Sequence, residues 1–194
     1  MKNIGFIFIT ILLIGCSNQH SENNNKKYDV PFINYSNEYF SINYPENWEY
    51  EEEINSEFDS IPEMSTGIRT TFFPKSQYAP FHTVCVQKSA MFYVFNTPEE
   101  WRDLSITMKN FNDEYIGTVD SMMLDSLKFG PYPAAMAGFA VDLGGDTIIH
   151  KQLVVMVNQD VYYLNNSFDM HDDGSMELYG DSILSTVRFK TDSL

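Results

Sequence analysis

The sequence is poor in basic residues. Its 194 residues include 12 Lys and Arg against 27 Asp and Glu, so the formal net charge at pH 7 is −15. Nucleic acids and anionic membrane surfaces both require a basic protein face, so neither is an expected partner. Cysteine is also scarce, and the 2 cysteines cannot build the disulfide framework on which many small secreted domains depend.

Signature sequences of enzymes are absent as well. The chain contains no Gly-x-Ser-x-Gly, no phosphate-binding glycine loop and no His-Glu-x-x-His. These absences remove the usual sequence arguments for a serine hydrolase, a nucleotide-dependent enzyme or a zinc peptidase. We therefore assign no catalytic residue and expect no cofactor.

The chain does contain apolar and aromatic residues in the amounts of a folded domain. Hydrophobic residues make up 43% of it and aromatic residues 15%, including 15 Phe and 12 Tyr. Disordered chains lack such residues, so the composition excludes disorder over most of the length. A chain of this size can bury a substantial core, and we predict one domain with at most a short appendage.

A short apolar run lies at the amino terminus. It covers Ile4–Ile14 and follows the charged Lys2. A helix of this length rises about 16 Å, roughly half of a ~30 Å hydrocarbon core, which predicts a signal peptide and not a membrane span. The run ends in Leu-Ile-Gly-Cys at residues 13–16, which resembles the lipobox of bacterial lipoproteins. The resemblance implies cleavage after residue 15 and acylation of Cys16, so that the protein meets the membrane through a lipid anchor.

The residues after the lipobox predict a tether. Residues 16–30 are polar and rich in asparagine, with no apolar period, as in flexible linkers. Ser17 resembles the sorting pattern of Gram-negative lipoproteins directed to the outer membrane, and leaves open whether the periplasmic or the surface face is occupied. The predicted organisation is a signal peptide over 1–15, a lipidated cysteine and tether over 16–30, and one globular domain over 31–194.

Most of the domain shows the alternation of β-strands. Phe40, Ile42 and Tyr44 share one face of a predicted strand, and a second extended segment begins at Trp48. Further strands are predicted at 67–73, 81–88, 119–129, 134–143, 147–157, 161–168 and 186–189. The glycine-rich turn at 144–146 joins two of them, which indicates an antiparallel meander.

Two helices complete the predicted α+β domain. The first begins at Thr97-Pro98-Glu99-Glu100, where Thr97 can cap, Pro98 suits the first helical position and Glu100 completes a capping box. It is predicted over about 98–112, with its apolar stripe in the core: Trp101, Leu104, Met108 and Phe111. A short second helix is predicted over 175–184.

Three segments, in this order, resemble the PsbP-like domain, a fold shared with the nuclear-import factor Mog and the bacterial DcrB lipoproteins. They are the opening strand with its Tyr-Pro-Glu-Asn-Trp ending at 39–48, the capped helix start at 97–101, and the helix-to-strand exit at 181–189. The resemblance implies an antiparallel sheet flanked by helices in an α/β/α sandwich. Members of this fold mostly bind or assemble other proteins and share no active site, so no functional residue is carried over.

One thiol and the histidines are the candidate reactive groups. Alternation along the strand places His82 and Cys85 on opposite faces, which favours a buried structural thiol over a Cys–His dyad. His82, His150 and His171 have none of the usual spacings of metal ligands. A hydrolase or metal-dependent enzyme built on these groups is the least favoured alternative.

An acidic turn weakly resembles a calcium loop. Asp169, His171 and Asp173 occupy alternate positions before Gly174, but a histidine stands at the second ligand position and Gly180 replaces the final glutamate. The favoured interpretation is a turn that caps the following helix through Asp172 or Asp173.

Acidic residues cluster in two segments, 46–63 and 169–181, which hold 13 of the 27 carboxylates and no Lys or Arg. Such segments are typical of solvated loops, or else form a docking surface for a basic partner. The candidate partner-binding residues are Glu51, Glu52 and Glu53, with Met91, Phe92 and Tyr93 from the apolar run 90–95.

These observations predict a non-catalytic, membrane-anchored envelope lipoprotein whose domain binds or assists another envelope protein. The alternative of a different class is a carrier that holds a small ligand against the aromatic-rich sheet. A deep apolar pocket would favour the carrier, whereas a solid core would exclude it.

Overall fold

A computed structural model gives the fold of most of the domain. The structure describes residues 30–55, 67–75, 82–89, 96–112, 114–122, 124–172 and 174–191. The predicted signal peptide, Cys16 and the tether up to residue 29 lie outside the described residues. Neither described helix is long and apolar enough to cross a membrane.

The described chain forms eleven strands and two α-helices. The strands are β1 (Phe32–Ser36), β2 (Phe40–Pro45), β3 (Trp48–Asn55), β4 (Gly67–Pro74), β5 (Thr83–Lys88), β6 (Tyr115–Thr118), β7 (Leu124–Phe129), β8 (Tyr132–Asp142), β9 (Thr147–Val157), β10 (Asp160–Asp169) and β11 (Arg188–Phe189). The helices are α1 (Pro98–Lys109) and α2 (Ser175–Leu184), and a 3₁₀ turn covers Asp120–Met122.

The strands form two antiparallel sheets. The large sheet has the order β3-β4-β5-β10-β9-β8-β6, with β7 also paired to β8, and the small sheet has the order β1-β2-β11. The predicted meander is confirmed, because β8, β9 and β10 pair consecutively through tight turns. Both helices flank the large sheet, so the predicted α+β fold is confirmed.

Each face of the large sheet carries one helix. On one face, which we call the α1 face, Trp101 of α1 packs against Val154 of β9 and Val161 of β10. On the other, the α2 face, Ile183 of α2 shares a larger core with Leu164 of β10 and with the small sheet. Successive residues of β9 and β10 therefore face different helices, since side chains alternate along a strand.

The helix starts agree with the sequence analysis. Thr97 Oγ1 accepts the backbone N–H of Glu100 at 3.3 Å, and the Glu100 carboxylate accepts the backbone N–H of Thr97 at 3.4 Å, which completes the capping box. Asp172 Oδ2 accepts the backbone N–H of Met176 at 2.7 Å, in the first turn of α2. Local chemistry thus sets both starts.

Two local predictions were wrong, and one strand was not predicted. Residues 119–129 do not form one strand, because the 3₁₀ turn at Asp120–Met122 separates β6 from β7. The apolar stripe of α1 does not stay buried: Met108 is 64% exposed although it lies within the helix, and Phe111 is 84% exposed because α1 ends before it, at Lys109. Strand β1 was not predicted, because only Tyr35 in it is buried and no alternation marks it.

Candidate functional site

Strand β3 lies at the edge of the described sheet and carries the predicted acidic residues. Within the described residues it pairs only with β4, so its outer backbone edge has no partner strand there. Trp48 at its start is buried, whereas every residue from Glu49 to Ile54 is exposed. The strand thus begins in the core and continues along the margin of the sheet.

The two faces of β3 differ in chemistry. On the α1 face, Glu51 and Glu53 lie opposite Thr71 and Arg69 of β4. The other face carries Tyr50, Glu52 and Ile54, with Tyr50 47% and Ile54 61% exposed.

Aromatic packing supports β3 from the α2 face. The Tyr50 ring lies 4.8 Å from that of Tyr35 and 6.0 Å from that of Phe72, centroid to centroid. The Tyr35 hydroxyl donates to Glu52. Burial, followed by this hydrogen bond to a carboxylate, raises the pKa of Tyr35. The edge is therefore held rigidly on one face while its carboxylates reach solvent.

An apolar cleft lies between α2 and the large sheet. It has a volume of about 190 Å³ and is lined mainly by Phe129, Met136, Leu153, Leu164 and Leu184. Met136 and Leu153 are direct partners across β8 and β9, and Leu153 and Leu164 across β9 and β10. The sheet thus forms the floor of the cleft and α2 one wall.

Charged side chains form the rim of this cleft. Lys151 Nζ lies 2.5 Å from Asp181 Oδ2 and 3.2 Å from Glu177 Oε1. Burial lowers the pKa of Lys151, but the hydrogen bonds and charges of Asp181 and Glu177 outweigh it and raise the pKa overall. Lys151 is thus held in its charged form between two carboxylates of α2.

The close approach of α2 depends on a glycine. The fully buried Asn166 donates to the Glu177 carbonyl at 2.8 Å and to Asp181 Oδ1 at 3.2 Å. A Cβ at Gly180 would lie 2.1 Å from Asn166 Oδ1 and 2.3 Å from its Cγ, far inside van der Waals contact. The missing side chain at residue 180 therefore permits this packing.

The candidate reactive groups do not assemble into a catalytic site. Cys85 is 4% exposed on the α1 face, where burial raises the pKa of its thiol. The His82 ring packs 5.0 Å from Trp48 and 6.4 Å from Tyr179 of α2, on the other face. His150 lies against Ser167, and His171 is exposed after β10. Within the described ranges, no three His, Cys, Asp or Glu residues are grouped to hold a metal ion.

The carboxylates of the acidic turn accept hydrogen bonds from nearby backbone N–H groups. Asp169 Oδ1 accepts the backbone N–H of His171 at 2.7 Å, and Asp172 caps α2. Asp173 lies outside the described residues, so the turn's weak resemblance to a calcium loop stays untested. Met91, Phe92 and Tyr93 also lie outside them, and their part in binding a partner remains a prediction.

The rim and the floor of the cleft were not predicted from the sequence. Lys151, Asn166 and Gly180 belong to different elements, and nothing in their local sequence links them. One signal in the sequence pointed to this site. Lys151 and Asn166 are polar residues on strand faces that are otherwise apolar. Only the register of β9 and β10 makes these two residues neighbours.

Comparisons with known proteins show similarity at the level of structure. No protein-family model matches the sequence, and no curated protein is significantly similar to it. The solution structure of cyanobacterial PsbP (CyanoP) from Synechocystis sp. PCC 6803 matches with a TM-score of 0.53 at 11% identity, over 82% of this chain and 92% of that chain. This match confirms the predicted PsbP-like fold.

Two further structures are more distant. LpqN, involved in cell envelope biogenesis of Mycobacterium tuberculosis, has a TM-score of 0.47 and 13% identity, over 86% of this chain and 94% of its own. A protein from Bacteroides thetaiotaomicron has a TM-score of 0.47 and 10% identity, over 80% of this chain. This chain spans 46% of that protein, which is about half its length.

Proposed function

We propose that the protein is a lipid-anchored envelope protein whose PsbP-like domain binds another protein along strand β3. The exposed acidic edge of β3 is the observation that carries the proposal. The lipobox ending at Cys16 supports the anchor, and the polar residues 17–30 would let the domain reach a partner away from the membrane.

The edge of β3 is suited to strand addition. An edge strand presents unpaired N–H and C=O groups, to which an extended segment can add as the next strand. Eight residues of β3 span about 26 Å at roughly 3.3 Å per residue, enough for a partner segment of similar length. The exposed Tyr50 and Ile54 offer apolar contacts on one face.

The carboxylates of β3 select the partner. Glu49, Glu51 and Glu53 share one face, so a neutral or acidic strand placed beside them would bring no compensating charge. A basic strand would pair with them, and its approach would be faster at low salt. The same charges discourage two copies of β3 from pairing edge to edge, which is how edge strands are protected from aggregation.

The environment of the reactive groups favours a binding role over catalysis. The buried Cys85 with its raised thiol pKa is a poor nucleophile. His82 and Cys85 occupy opposite faces of the large sheet, so neither activates the other. We accordingly assign the function to the exposed surface of β3.

Charge reversal on β3 tests the binding surface. A photo-crosslinking amino acid at residue 54, in the full chain in native membranes, should give one discrete adduct. The double variant Glu51→Lys with Glu53→Lys should lose that adduct, whereas the matched control Glu114→Lys with Asp146→Lys, exposed at the opposite side of the sheet, should keep it. An adduct unaffected by the β3 reversal would contradict the proposal.

Metabolic labelling tests the anchor separately. The wild-type protein should incorporate an alkyne-tagged fatty acid and sediment with membranes, and Cys16→Ser should do neither. A wild-type protein without label would refute the lipoprotein assignment. The crosslinking experiment would still test the β3 surface separately.

A further inference from the structure

The cleft beneath α2 has the size of one small ring. A closed apolar cavity of roughly 150 Å³ is large enough to bind benzene. The cleft has about 190 Å³ and opens beside Asp181 and Ser185. Its volume therefore fits one phenyl-sized group, whose substituent would project to the rim.

The walls of the cleft are preformed. Leu164 is fully buried and Leu184 is 8% exposed, so the core holds both in place. Asn166 ties α2 to β10 by hydrogen bonds to the Glu177 carbonyl and to Asp181, which fixes the position of α2 on the sheet. A guest would thus gain apolar contact without paying for a rearrangement of the helix.

The rim of the cleft carries a net negative charge. One ammonium, that of Lys151, faces two carboxylates, those of Glu177 and Asp181. Because the ammonium is already paired with both, an anionic guest would find no free cation among the described residues of the cleft and would meet an excess of negative charge. Asp181 Oδ1 accepts from Asn166 and Oδ2 pairs with Lys151, but the side chain is 36% exposed and each carboxylate oxygen has a second lone pair that can accept a hydrogen bond from a guest.

We propose that this cleft is a binding site for a small aromatic amine. The ring lies on Leu153, Leu164 and Met136, and the ammonium group donates to the carboxylate of Asp181 at the mouth. The site is separate from β3, since it lies beneath α2 on β8, β9 and β10, so it adds a ligand site to the proposed protein-binding function.

Methyl NMR of the full chain with two matched probes tests the site. 2-Phenylethylamine should shift the methyl signals of Leu153, Leu164 and Leu184. The neutral isostere 2-phenylethanol should shift the same signals but bind about two- to fivefold more weakly, the ratio for one partly exposed charge interaction. Absence of shifts with both probes, shifts only elsewhere, or equal affinities would overturn the proposal.

Variants separate the ring site from the charge site. Met136→Phe should fill the cleft and weaken both probes, whereas Leu178→Phe on the exposed face of α2, 71% exposed, should change neither. Asp181→Asn and Glu177→Gln should each lower the affinity for the amine more than the affinity for the alcohol, and they test the proposal even if Met136→Phe fails to fold. An amine affinity equal to that of the wild type in every folded cleft variant would refute the assignment.

Discussion

His150 and Lys151 are neighbours in strand β9 but lie in opposite environments. His150 faces α1, where its Nδ1 lies 2.6 Å from Ser167 Oγ. Burial, and then the charges of Lys109 and Arg69, lower its pKa to about 4. Lys151 faces α2, where two carboxylates keep it charged. These two neighbours thus differ in charge because different groups surround them on the two faces of the sheet, and each variant below tests one face.

Replacement of Gly180 should have the largest effect. The Cβ of Gly180→Ala would collide with the buried amide of Asn166, so α2 must shift and lose both hydrogen bonds from Asn166. We expect a loss of about 3 kcal/mol in the free energy of unfolding, measured by urea denaturation.

Helix propensity alone predicts the opposite result for Gly180→Ala. Alanine in a helix is favoured over glycine by roughly 1 kcal/mol, so Gly180→Ala would stabilise the protein if α2 did not pack so closely. Gly117→Ala on β6, where a Cβ meets no atom within 4 Å, is the control and should change stability little. A stabilised Gly180→Ala would show that the described packing of α2 is wrong.

Protonation of His150, on the α1 face, should lower the free energy of unfolding at acidic pH. The folded protein holds its pKa at about 4, below the ordinary value of 6.5, so below pH 6.5 the unfolded chain binds the proton more readily. Stability should fall as pH drops from 6.5 toward 4 and level off below it. Between pH 7.5 and 4.5 this group should contribute a loss of about 2 kcal/mol.

The variant His150→Gln isolates this contribution. Glutamine retains a hydrogen-bonding group for Ser167 but does not titrate, so the pH dependence of its unfolding should be shallower than that of the wild type by about 2 kcal/mol over the same range. The titration of the carboxylates cancels in this difference. Parallel pH profiles would mean that His150 titrates normally in the folded protein.

Removal of Lys151 on the α2 face should have the smallest effect of the three. Lys151→Met would leave Asp181 and Glu177 facing each other without a cation, but both are partly solvated. We expect a loss of about 1 kcal/mol at pH 7, since solvent screens such pairs. The raised pKa of Lys151 means that the wild type should lose this advantage only above about pH 10.5.

Double replacement checks the assignment to one network. Lys151→Met combined with Asp181→Asn should cost less than the sum of the two single changes, because the second change removes a carboxylate that the first leaves unpaired. Additive losses would indicate that the ion pair contributes nothing to stability.

Much of the fold could be predicted where the signal was local. The capping box at Thr97, the alternation of Phe40, Ile42 and Tyr44, and the helix Ser175–Leu184 each depend on residues close in sequence. Prediction failed where pairing or helix length decided the outcome. β1 exists because it pairs with β2, and the end of α1 exposes Phe111.

The two candidate sites also differ in how far the sequence alone could reveal them. The acidic run at Glu51–Glu53 was visible in the sequence, and the structure adds that it lies on the outermost strand of the described sheet. The α2 cleft was not visible, because its floor combines β8, β9 and β10 and its wall is a helix further along the chain.

The sequence by itself determined that this is an acidic α+β domain with an acid-rich segment at 46–63, because composition, periodicity and capping are local properties. Only the tertiary structure decided which acids lie on the outermost strand of the described sheet and which pair with a lysine. It also decided that His150 is neutral and Lys151 charged. Burial and charge pairing depend on distances between segments remote in the chain, and strand register and helix packing set those distances.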